Sequence, residues 1–130
     1  MYRLEITTSH SENWRYNIMV TLSMRDSAGE QCGYHTVEDS PFEVGTNSEN
    51  PPEGFVRRRE ISLDFEKCSS VRFIIYMLPN SLPQIKSLEG ADITFPIQIK
   101  IVNGENKVFA EKIEVNRFGG CGVERIVELE

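Results

Sequence analysis

Ile93-Thr94-Phe95-Pro96-Ile97-Gln98-Ile99-Lys100-Ile101-Val102 decides the fold class of this chain. Odd positions are apolar and even positions are mostly polar. A strand turns successive side chains to opposite faces, so this period of two describes one buried face and one wet face. Val102 to Lys107 follows as a turn, because Asn103 and Gly104 tolerate the positive φ that hairpin loops demand. The return arm sets Phe109, Ile113 and Val115 on one face, interrupted by Glu111. Pro96 cannot donate a ladder hydrogen bond, so the first arm is expected at a sheet edge. Glu111 is then read as an inward charge of the kind that guards an edge against unwanted pairing.

The same period recurs on both sides of this hairpin. Tyr2, Leu4 and Ile6 alternate with Arg3, Glu5 and Thr7. Trp14, Tyr16, Ile18, Val20, Leu22 and Met24 share a face, and Arg25 to Glu30 reads as a turn into a return strand, Gln31 to Val37. Phe55 to Phe65 resumes strand character with Ile61, Leu63 and Phe65 inward. Val71 to Leu78 is almost continuously apolar, which suits a central strand covered on both faces. Gln84 to Gly90 has room for one helical turn, Asn116 to Gly122 is a glycine-rich bend, and Val123, Arg125, Val127 and Leu129 mark the inward face of a last strand.

About eight strands without a convincing helix predict an all-β, antiparallel sandwich. The count and spacing resemble, at the level of architecture only, C2-like, transthyretin-like and immunoglobulin-like sandwiches, which host many functions. At 130 residues the chain reads as one domain spanning residues 1–130. Residues 38–54 stand apart as a long acidic loop. They carry Glu38, Asp39, Glu43, Glu49 and Glu53 without a basic residue, and Phe42 and Val44 are expected to pin its middle to the body. Leu129-Glu130 has the look of a tagging-vector remnant.

Charge and cysteine usage narrow the function classes. Fourteen basic against 20 acidic residues give a net charge of −6, which disfavours a nucleic-acid partner. No apolar run approaches the roughly 20 residues of a membrane helix. Cys32, Cys68 and Cys121 are odd in number and widely spaced, as in a reducing cytoplasm.

Candidate sites are few. Cys32 and His35, with Cys68 or Cys121, raise a metal site, but residues three apart on a strand face opposite ways. Cys121 in its glycine-rich bend raises a thiol nucleophile with His10 or His35 as base. The acidic loop raises calcium, although Asp26, Asp39, Asp64 and Asp92 are isolated. Arg57, Arg58 and Arg59 form the one basic cluster and are expected to pair with the acidic loop. Trp14, Tyr16, Tyr34 and Tyr76 raise a sugar-stacking platform, against which Trp14 and Tyr16 lie in register with the core face. No catalytic, cofactor-binding or metal-binding residue is assigned, and no catalytic motif is present. The leading expectation is a non-enzymatic module that binds a protein partner through a sheet edge or loop tips. A C2-like calcium- or lipid-binding module and a carbohydrate-binding sandwich are the alternatives.

Overall fold

In the computed structural model, which describes residues 1–83 and 93–129, eight strands form two four-stranded antiparallel sheets. They are β1 (Tyr2–Thr8), β2 (Tyr16–Arg25), β3 (Gln31–Asp39), β4 (Arg59–Phe65), β5 (Ser70–Pro79), β6 (Thr94–Asn103), β7 (Asn106–Asn116) and β8 (Cys121–Glu128). One sheet has the order β4-β1-β6-β7 and the other β3-β2-β5-β8. The all-β sandwich read from the period of two is the observed architecture. The helical turn expected at 84–90 lies outside the described residues.

The inward positions of the alternation build one core from both sheets. Leu4, Ile97, Ile99 and Ile101 come from the first sheet, and Val20, Leu22, Phe73, Ile75 and Met77 from the second. Each such side chain, removed from water, stabilises the fold by about 1.5–3 kcal/mol before entropy is counted. Gly104 opens the two-residue β6–β7 turn with φ 62°. Glycine at the first central position with positive φ is the type II′ arrangement, whose twist matches that of paired strands. Asn103 itself stays in the ladder opposite Asn106.

Four expectations change. First, β6 is not an edge, because β1 and β7 flank it. Pro96 is tolerated since β1–β6 pairing stops at Thr7–Gln98. The Pro96 carbonyl accepts from Thr8 Oγ1 at 3.2 Å. Its nitrogen faces the same way, just past the end of β1, where no ladder bond is lost. Second, β5 is central but covered on one face alone: Val71, Phe73, Ile75 and Met77 are buried while Tyr76 and Leu78 are exposed. Third, β4 begins at Arg59, so Phe55 to Arg58 belong to the preceding loop. Fourth, Trp14 sits in a 3-10 turn, Asn13–Arg15, rather than on β2. Leu129 packs against the core and donates its N–H to Ser69 O at 2.8 Å.

The true edges are β4 and β7 in one sheet and β3 and β8 in the other. Charged pairs join them across the layers. Arg59 Nη2 lies 2.8 Å from Asp39 Oδ2 between β4 and β3. Arg125 on β8 grips Glu111 on β7 with Nε–Oε2 at 2.8 Å and Nη2–Oε1 at 3.0 Å. Glu111 therefore interrupts the apolar face of β7 to accept a two-pronged contact whose planar geometry suits arginine. Both β3 and β7 also carry a bulge near their hairpin turns, at Cys32 and Val108 respectively. Bulges of this kind discourage edge-to-edge pairing.

Candidate functional site

The residues singled out by their chemistry are dispersed. Cys32 is exposed on β3, Cys68 is buried beside β5, and Cys121 is half-buried on β8. His35 and Cys121 lie on opposite edge strands, with β2 and β5 between them. Burial pushes the Cys121 thiol up, against a smaller opposing pull from a hydrogen bond to the Met77 backbone. That is the wrong direction for a nucleophile, which needs the thiolate. His10 stacks on Phe95 at a centroid distance of 4.5 Å, and its Nδ1 accepts the Glu12 N–H at 3.1 Å.

The described aspartates are likewise committed locally. Asp26 Oδ1 accepts from Ala28 N and Glu30 N at 2.9 and 3.0 Å, forming the β2–β3 turn. Asp64 pairs with Arg3 and Asp39 with Arg59. Asp92 lies outside the described residues. Among the described residues no three His, Cys, Asp or Glu side chains converge as metal ligands. Of the basic run, Arg59 does meet the acidic segment, Arg58 pairs with Glu60, and Arg57 Nε donates to Ser9 O. Trp14 and Tyr16 are buried, whereas Tyr34 and Tyr76 are exposed on strands separated by β2. Their register rows are four residues apart, roughly 13 Å along the strands, too far for one sugar ring to span.

One end of the sandwich holds a buried polar cluster that no sequence signal announced. Arg15 and Arg117, 4% and 5% exposed, share the carboxylate of Glu12. Arg15 Nε meets Glu12 Oε2 at 2.7 Å and the guanidinium lies 4.4 Å above the Trp14 ring. Arg15 Nη1 donates to Ser48 O and Leu82 O at 3.0 and 3.1 Å, tying the loop after β3 to the segment after β5. Tyr16 Oη donates to Arg117 O at 2.6 Å, and burial pushes its pKa up to about 12. With its charges engaged inward, this cluster organises loops rather than offering a surface.

The outward faces of the two sheets differ in kind. Beyond β1 and its neighbours lie Arg3 paired with Asp64, Glu5 opposite Lys100, and Gln98 opposite Lys112. Beyond β2 and β5 lie Met19 opposite Tyr76, Asn17 opposite Leu78 and Thr21 opposite Ile74. Six large apolar side chains on described strands are exposed, and Met19, Tyr34, Tyr76, Leu78 and Ile126 all belong to the second sheet; Val108, at the β7 bulge, is the sixth. Met19, Tyr76 and Leu78 are exposed by 40%, 45% and 49%. Met19 and Tyr76 are direct cross-strand neighbours, within about 5.5 Å, and Leu78, two residues along β5 on the same face, lines the same cleft, so the three form a contiguous strip. Gly122 stands opposite Tyr76, and a Cβ there would meet the ring at 3.2 Å, so its absence lets the tyrosine lie close to the sheet.

The loop after β3 walls this strip at one end. Asn17 Nδ2 donates to Phe42 O at 2.9 Å, and Phe42 packs edge-on to Trp14 with centroids 6.1 Å apart. Gly45 N donates to Asn80 O at 3.1 Å. Phe42 thus pins the loop as expected, whereas Val44 stays exposed beside Leu78. Two adjoining clefts result. Met19, Tyr76, Leu78 and Val44 line one, Glu43 and Phe42 line the other, and Glu38 borders both.

Among the described residues no helix is long and apolar enough to cross a membrane. Comparison of the chain with models of known protein families, with curated proteins and with solved structures returned no match.

Proposed function

We propose that this domain is a non-enzymatic interaction module that presents the outer face of the β3-β2-β5-β8 sheet, walled by the loop after β3, to a partner protein. The carrying observation is the asymmetry of exposed apolar surface on the two outer faces: the first carries charged and polar side chains such as Arg3, Asp64, Glu5, Lys100 and Lys112, whereas the second, besides its Arg72–Glu124 pair, exposes Met19, Tyr76 and Leu78 side by side. Contiguous exposed apolar surface with a polar rim is the usual mark of a protein contact, and Tyr and Met are enriched in such contacts. A pleated sheet braced by a shared core also holds these side chains in place before binding, which lowers the entropy lost on association.

The test is capture by the immobilised domain from its source cell. Leu78→Asp and Tyr76→Arg are compared with Lys112→Glu on the opposite face. The expected result is a specific partner retained by the wild type and Lys112→Glu and lost by the other two. A partner held equally by all four proteins, or lost equally by all three variants, would overturn the assignment of the face.

A further inference from the structure

Resting on that reading, we infer that the double cleft at the loop end of this face takes a basic side chain of the partner, a lysine or arginine carried between aliphatic residues. The floor is Met19, Tyr76 and Leu78, and the far wall is Val44. Glu38 and Glu43 supply the charge, and among the described residues neither cleft is lined by lysine or arginine. Among the described residues seven arginines sit in ion pairs, at positions 3, 15, 58, 59, 72, 117 and 125. Among the described residues no ion pair engages Glu38 or Glu43. Glu38 keeps one carboxylate oxygen outside its bond from Ser40 Oγ, which donates to Oε1 at 2.8 Å.

The chemistry of the two walls selects one class of occupant. An aliphatic side chain would cover Met19 and Leu78 but would strip water from two carboxylates without replacing it. Lysine and arginine bury their methylene stems along apolar surface while the charged head stays at the polar end, matching floor and rim together. Flanking aliphatic residues would cover the strip toward Ile74. The chain's net charge of −6 adds long-range attraction for a basic partner, which speeds encounter and makes it sensitive to salt.

The inference is tested by NMR titration of the full chain with the capped tripeptide Ile-Arg-Ile, using Ile-citrulline-Ile and Ile-Glu-Ile as matched probes. The expected result is saturable shifts of the Asn17, Met19, Glu38, Val44, Tyr76 and Leu78 amides with the arginine peptide. Citrulline should weaken binding, and the glutamate peptide should leave these amides unmoved. The double variant Glu38→Gln/Glu43→Gln should raise the Kd about fivefold, since exposed charge pairs contribute a few tenths to one kcal/mol each. Equal response to all three peptides, shifts spread over the acidic surface, or no change in the double variant would overturn the inference. The double variant also separates the two readings. If it binds the captured partner as tightly as the wild type while Leu78→Asp loses it, the basic-anchor inference falls and the interaction face stands. If Leu78→Asp retains it as well, both fall.

Discussion

At the scale of single residues, the buried polar end shows how a charge too many shapes pH behaviour. Arg15 and Arg117 sit on either side of Glu12, and the buried Arg117 Nε has no hydrogen-bond partner among the described residues. His10 occupies the same neighbourhood. Its pKa is lowered from 6.5, first by burial and then by the Arg117 charge, with a smaller contribution from Arg57 and an opposing one from Glu12. Its Nδ1 must also remain an acceptor for the Glu12 N–H. A histidine with a depressed native pKa is protonated first in the unfolded chain. Its contribution to stability is therefore complete above the unfolded value of about 6.5 and is lost as pH falls from there toward the native pKa. Urea unfolding at a series of pH values should show stability falling through this window, and His10→Asn should flatten that part of the profile. An unchanged slope in the variant would mean that His10 stays accessible to protons in the native state. The Arg117 contacts could not be read beforehand, because Glu12 and Arg117 are joined across more than a hundred residues of chain.

At the scale of elements, turns and edges carry the specificity of the fold. Gly120 adopts φ 75°, and a Cβ there would fall 1.8 Å from the Met77 carbonyl oxygen. The glycine is what allows the bend before β8 to press against β5, where Asn116 and Gly120 exchange backbone bonds at 2.8 and 3.2 Å. Gly104 also has positive φ but meets nothing within 4 Å. Gly104→Ala should therefore cost about 1–2 kcal/mol, the penalty of the left-handed conformation alone. Gly120→Ala should cost at least about 1–3 kcal/mol more, because a backbone atom has to move. Thermal and chemical denaturation of both variants measure the difference. Equal costs would show that the bend relaxes without disturbing β5. The glycine-rich bend was legible as a bend, and its close approach to Met77 was not. Similarly, the hairpin alternation located β6 and β7, but Pro96 pointed to the wrong edge. A proline reports only that its own nitrogen lacks a ladder partner, and β1 ending at Thr8 satisfies that condition inside the sheet.

At the scale of the molecule, two sheets share one core, and their outer faces are free to differ. Phe73 is fully buried and packs edge-on to Phe109 across the sheets, with centroids 5.8 Å apart. Phe73→Ala should destabilise the domain by about 3–5 kcal/mol through lost burial and the cavity left behind. Leu78→Ser, on the outer face, should cost less than about 1 kcal/mol. Urea unfolding compares the two, and a similar loss in both would show that Leu78 is covered in the native protein. The sequence by itself determined the all-β class, the eight strands and most inward side chains, because alternation is local and needs no knowledge of neighbours. Only the tertiary structure decided which strands are edges, that β5 is wet on one side, that Glu111 answers Arg125, and that Met19, Tyr76, Leu78 and Val44 meet beside Glu38. Those facts depend on the order in which strands lie side by side, and residues distant in sequence leave no periodic trace of that order.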